Sequence, residues 1–141
     1  MNTATQYDAD FFLWTQQQAD LLRQGQLTAI DITNLAEEID NMGKRDRRAL
    51  TSHLANLLLH LLKWDYQPVR RSTSWRLSIR NARQEIELIL NDSPSLRQQL
   101  PTLIDTAYPI ARRNAADETG LPLTDLPELC PFNITHITTD D

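Results

Sequence analysis

The sequence predicts an all-α fold, an up-and-down bundle of four to five helices, and three observations carry that prediction. Leu, Ala, Arg and Gln are abundant among the 141 residues, and these side chains lose little rotamer freedom in a helix. Val69 is the only valine and there are three glycines, so the β-branched runs that strands favour are missing. Apolar residues recur at three- and four-residue steps, most cleanly at Trp75, Ile79, Ala82, Ile86 and Ile89, which puts them on one helical face. The length suits a single domain over residues 1–141, large enough to bury roughly two-thirds of its unfolded surface.

The first predicted helix runs from Asp8, as cap, to Gln24, with Gly25 stopping it. Phe11, Trp14, Gln18, Leu21 and Leu22 form its buried face. The second runs from Thr28 or Ala29 to Met42 around the stripe Ile32, Leu35, Ala36 and Ile39, and Gly43 offers a break. The third begins in Lys44-Arg45-Asp46-Arg47-Arg48 and ends near Asp65. Five leucines between Leu57 and Leu62 exceed a one-sided stripe, so this helix is central. The fourth starts at Ser72 or Thr73 and reaches about Leu90. The fifth opens at Ser93-Pro94 and runs to about Glu118, closed by Gly120. Pro101 and Pro109 lie inside that run and predict a kink or a break. From about Leu121 the period is lost, and Pro122, Pro127 and Pro131 punctuate an irregular tail. Its Leu121, Leu123, Leu126 and Phe132 are expected to pack along the bundle before the chain frays at Thr138 to Asp141.

Charge is distributed unevenly. Ten of the 14 basic residues lie between Lys44 and Arg83, offset there by Asp46 and Asp65 alone. That segment carries +8 and the remainder −13, which together give the net −5. Such a split marks where an anionic partner, or an acidic half of the same molecule, would dock. The acidic total argues against general DNA binding. Cys130 is the sole cysteine, so no intramolecular disulfide and no Cys-based zinc site can form. Met1 to Asp10 has neither a basic residue nor an apolar core, which is unlike a signal peptide. No apolar stretch approaches the roughly 20 residues that span a bilayer. A cytoplasmic protein without membrane contact is the default expectation.

Five groups of residues, read in order, resemble one family. They are Tyr7-Asp8-Ala9-Asp10-Phe11 with Trp14; Asn34-Leu35-Ala36-Glu37-Glu38-Ile39 with Met42-Gly43; and His60-Leu61-Leu62-Lys63-Trp64 with Gln67-Pro68. The others are Arg71-Ser72-Thr73-Ser74-Trp75, and Asp92-Ser93-Pro94-Ser95-Leu96-Arg97 with Glu118-Thr119-Gly120-Leu121-Pro122-Leu123. Together they resemble the mostly cyanobacterial family called domain of unknown function twenty-nine. The resemblance spans Tyr7 to about Phe132 and implies an all-helical, intracellular bacterial protein. It implies no activity.

Four groups of residues carry candidate chemistry. Arg70 and Arg71 precede the fourth helix, and Arg76, Arg80 and Arg83 line one side of it. Guanidinium forks suit carboxylates and phosphates, and Trp75, with Trp64 and Tyr66, could stack on bases. An acidic protein partner is the preferred occupant, and nucleic acid the less favoured one. The structural alternative is neutralisation by Glu37, Glu38 and Asp40. Glu37 and Glu38 point about 100° apart on a helix, which disfavours a shared catalytic site and favours structural ion pairs. His53 and His60 share a face at seven residues' spacing, but the Glu-x-x-His pairs of carboxylate metal bundles are missing, so neither a metal nor another cofactor is expected. Arg48 and His53 have the Arg-x4-His spacing of the HEPN ribonucleases. In those chemical terms a histidine would move the 2′-hydroxyl proton and an arginine would steady the phosphate. In an ideal helix, though, the two positions lie about 140° apart. Cys130 has only His136 as a nearby basic residue and reads as a packing side chain. The sequence therefore points to a small non-enzymatic interaction protein that uses residues 44–83, with a metal-independent ribonuclease or RNA-binding protein as the alternative and a homodimer left open.

Overall fold

Aspartates open the first two long helices. In the computed structural model, which describes residues 3–139, a short helix α1 (Thr3–Ala9) precedes α2 (Phe11–Arg23). Asp10 separates them: its backbone leaves the helical region and its carboxylate accepts the Leu13 amide at 3.0 Å, satisfying one of the free donors of a helix start. The expected cap, Asp8, lies inside α1 instead. Gly25 ends this segment as expected, with φ +71°, a conformation open to glycine without a Cβ clash.

Helix α3 (Ile32–Tyr66) replaces the two helices expected over this stretch. Gly43 does not break it. An interior glycine costs a helix only about 1 kcal/mol, and strong helix formers surround it. Lys44 also pairs with Asp40 one turn back at 2.9 Å, supporting the helix locally. The start is set by Asp31, whose carboxylate accepts the Asn34 amide at 3.3 Å, rather than by Thr28 or Ala29. Helix α4 (Thr73–Asp92) begins as expected, with Ser72 Oγ accepting the Trp75 amide at 3.2 Å. The segment after Ser93 winds first as a 3₁₀ helix, Pro94–Gln99, and only then as α5 (Leu100–Thr119). Pro101 falls in the first turn of α5, where no helical partner is lost. The helix also runs through Pro109 without a break. Pro109 is exposed, so the carbonyl it leaves without an amide can turn to water. Gly120 closes α5 in the left-handed region, φ +76°. A last short helix, α6 (Ile134–Thr138), interrupts the tail. Among the described residues there is no strand, and the fold is all-α.

The chain divides into two compact units, Met1–Arg45 and Asp46–Asp141. The first holds α1, α2 and the start of α3. Its centre is Trp14, whose ring is met edge-on by Tyr7 at 4.8 Å and stacked by Phe11 at 5.8 Å. The buried Trp14 indole N–H donates to the Asp31 carboxylate at 3.1 Å, and buried Gln18 accepts the Asp31 amide at 2.7 Å. The expected stripe on α3 is not buried here: Ile32, Ala36 and Ile39 are exposed, and Leu35 is half-buried.

The second unit holds the hydrophobic core. Helix α3 contributes Leu50, Leu54, Leu57, Leu58, Leu59, Leu61 and Leu62, which bears out its central role. Helix α4 adds Ile79, Ala82, Ile86 and Leu90, and α5 adds its Leu100 to Ala115 face. Lys63 near the end of α3 reaches Glu118 near the end of α5 at 3.0 Å, so the C-terminal ends of these two helices meet. The tail packs on this core through Leu126, Phe132 and Ile137; Leu121 is half-buried and Leu123 exposed. Tyr108 donates its hydroxyl to the Pro127 carbonyl at 2.5 Å, and Arg112 donates to the Leu123 and Leu126 carbonyls at 3.0 and 3.2 Å. Thr138, where fraying was expected, still belongs to α6, while Asp140 and Asp141 lie outside the described residues.

Candidate functional site

A cleft of about 430 Å³ opens between α3, α4 and α6 in the second unit. The end of α3 supplies Leu61, Trp64 and Asp65. Helix α4 supplies Arg76, Ile79, Arg80 and Arg83, and α6 supplies His136. The four- and three-residue steps of the arginines bring all three to one wall, as their spacing required. Leu61 and Ile79 are buried and give the cleft an apolar floor. Arg76 and Arg80 are exposed at its rim.

Arg83 differs from its two neighbours. It is only 8% exposed, and its guanidinium donates to the His136 carbonyl at 2.7 Å and the Ile137 carbonyl at 3.3 Å. These carbonyls belong to the last turn of α6, the negative end of a helix. Of the three arginines on this wall, two are thus exposed and the third is buried. Burial of Arg83 is possible because the carbonyls replace the water that a guanidinium would otherwise keep.

The other expected binding residues are not among those lining the cleft. Arg71 donates through Nε to the Trp64 carbonyl at 2.8 Å, capping the end of α3, and its guanidinium lies 4.9 Å from the centre of the Trp64 ring. Trp75 is half-buried and carries the Lys63 ammonium over its ring at 4.8 Å. Arg70 is exposed in the 3₁₀ turn Pro68–Arg70. Several cations of the basic segment are thus occupied by nearby groups, while Arg70, Arg76 and Arg80 are exposed.

The acidic candidates sit in the first unit. Glu38, expected in an ion pair, accepts the Tyr7 hydroxyl. That hydrogen bond is the main cause holding the Tyr7 phenol above its ordinary range, helped by burial and by the charges of Glu38, Glu37 and Asp8. Glu37 is exposed. Asp40 pairs with Lys44 of its own helix. Arg48 and His53 occupy one regular stretch of α3, so their side chains leave the axis about 140° apart and do not converge on one phosphate position. The His60 Nδ1 lies 2.8 Å from the Asn56 carbonyl, the local bond a helix surface provides. Burial is the main cause raising the Cys130 thiol above its ordinary range, the opposite of what a nucleophile needs. Among the described residues no group of three or more His, Cys, Asp or Glu side chains could hold a metal. None of the described helices is long and apolar enough to cross a membrane.

The family model described as Domain of unknown function DUF29 matches residues 6–141. The chain belongs to that family. No curated protein and no solved structure matches it. In this DUF29 chain the residue groups that resembled the family fall at identifiable places. Tyr7 and Trp14 build the aromatic centre of the first unit. Trp64, Arg71 and Trp75 build the turn beside the cleft.

Sequence reasoning found the arginine row but missed Asp65 and His136 as cleft residues. Asp65 carried a signal, being one of two acids in the basic segment. His136 carried none, because tail packing alone brings it 60 positions back to Arg76. Asp31 was also missed, although an Asp immediately before an apolar-periodic run is a readable helix start.

Proposed function

We propose that this DUF29 protein is a non-enzymatic interaction module that docks an acidic segment of a protein partner on α4. The observation that carries this reading is the exposure of Arg76 and Arg80 on the rim of a cleft floored by Leu61 and Ile79. Guanidinium groups on such a rim can donate to carboxylates in forked pairs, and the apolar floor can take a neighbouring aliphatic or aromatic side chain. An interface built this way combines a small desolvated centre with a charged rim, the arrangement that concentrates binding energy in a few residues.

Two features favour protein over nucleic acid. The chain as a whole is acidic, at −5, so its long-range field opposes a long polyanion such as nucleic acid more than a short acidic segment. The indoles nearest the cleft are also engaged: Arg71 lies over Trp64 and Lys63 over Trp75. Base stacking would have to displace those cations.

The test is capture from the source cells by wild-type protein and by an Arg76→Glu/Arg80→Glu variant, with and without nuclease. A stoichiometric protein that survives nuclease and is lost from the variant supports the reading. Captured RNA that disappears on nuclease treatment would replace it with a nucleic-acid function.

A further inference from the structure

We infer that α6 is an internal competitor for the cleft, holding Arg83 where an acidic segment of the partner would bind. This rests on the docking reading above and adds regulation to it.

The five residues of α6 are too few to hold a helix in water without tertiary support. Its described anchors are few: Asn133 Oδ1 accepts the His136 amide at 2.7 Å, Ile137 is fully buried, and Arg83 grips the last turn through two carbonyls. The ring of His136 rests edge-on against Phe132 at 5.1 Å and lines the cleft. Arg83 is therefore already bound to a partial anion, the carbonyl end of a helix.

A carboxylate is the stronger acceptor, with a full charge and two oxygens that match the guanidinium fork. Release of α6 would also remove His136 from the cleft wall. It would turn two accessible arginines into three, spaced by four and three residues along α4, or roughly 6 and 4.5 Å of helix rise. Alternate side chains of an extended strand recur at roughly 6.6 Å. The segment this suits is thus an extended one with acidic residues at alternating positions and an apolar residue for the floor.

The experiment is a fluorescence anisotropy titration with a fluorescein-labelled deca-glutamate peptide, comparing the full chain with one ending at Asn133. The truncated chain is expected to bind roughly tenfold tighter, the gain that follows if the open state is about a tenth of the population. Arg83→Ala should erase that gain, so that the full and truncated chains carrying it bind alike. A truncated chain that keeps its helical circular dichroism but binds no tighter overturns the inference. Should truncation unfold the protein, hydrogen exchange on the intact chain decides: saturating peptide should accelerate the amides of residues 134–138, and unchanged or slowed exchange overturns the inference. Binding that Arg76→Glu abolishes, with α6 exchange unaltered, removes the competitor and keeps the docking site. Absence of binding in both chains removes both.

Discussion

The two units of this protein are held together by different physics. In the second, α3, α4 and α5 meet in a continuous leucine-rich cluster, so stability there is spread over many interchangeable apolar contacts. In the first, large side chains such as Phe12, Leu27, Ile32, Ile39 and Met42 are exposed. Order there rests on one tryptophan and the polar network of Gln18, Asp31 and Asn34. Hydrophobic burial is non-directional and tolerant of substitution, whereas a buried polar network fails when one member is lost. The first unit should accordingly be the more brittle at a few positions and the more tolerant elsewhere.

The same residue type tests this most sharply. Ile86 is 1% exposed on α4 and Ile39 is 67% exposed on α3. Ile86→Ala should cost about 2–5 kcal/mol through lost burial and a residual cavity. Ile39→Ala should fall within about 0.5 kcal/mol of wild type. Denaturant titration of both variants checks this. Equal costs would mean that the exposed stripe of α3 is buried in solution.

The next largest effect lies at Asp31. Its carboxylate accepts from the Trp14 indole, from the Asn34 amide and from the Asn34 side chain at 2.8 Å. Asp31→Ala removes a helix cap and leaves a buried indole donor unpaired, which should cost about 1–3 kcal/mol. Amide exchange is the readout. Acceleration in residues 11–34 beyond that in 79–90 would confirm that the network belongs to the first unit. Uniform acceleration would dissolve the distinction between the units.

How much of this was readable beforehand follows the same division. The core of the second unit was legible because its periodicity is strong: the α4 stripe, the all-round apolar stretch of α3 and the Ser72 cap all appeared as expected. Gly43 misled because a glycine signals a break only where the flanking residues agree, and Lys44 to Arg48 favour a helix. Ile32 and Ile39 misled because periodicity reports that a face could be buried, without saying that anything covers it. In the cleft, Arg76 and Arg80 were found from local spacing. The fate of Arg83 was invisible, since its carbonyl partners lie more than 50 residues away in a tail that has no period of its own.

A smaller effect concerns how that tail is fastened. The buried Tyr108 hydroxyl donates to the Pro127 carbonyl, and burial, above all, pushes its pKa up to about 12. A phenol raised in the folded state binds its proton more tightly there than when unfolded. Its contribution is therefore complete below the unfolded value near 10 and is lost as pH rises through about 12. Stability should fall between those limits, with the tail loosening first. Tyr108→Phe should cost about 1 kcal/mol at neutral pH and flatten part of the alkaline loss. If the variant keeps the full alkaline dependence, another group fastens the tail.

The smallest effect should be a gain. Gly43 lies inside α3 with φ in the ordinary negative range, and a Cβ built on it meets nothing within 4 Å. Gly43→Ala therefore adds no clash, and it removes backbone freedom from the unfolded chain that folding must otherwise overcome. It should stabilise by about 0.4–1 kcal/mol, seen as a higher denaturant midpoint with an unchanged slope. The result also separates two roles for this glycine. A gain means that it is a tolerated weak point of a helix that its neighbours hold together. A loss would mean that the backbone at Gly43 is approached closely in solution by something that a methyl group excludes, and the exposed residues Ile39 and Met42 beside it would then mark that contact.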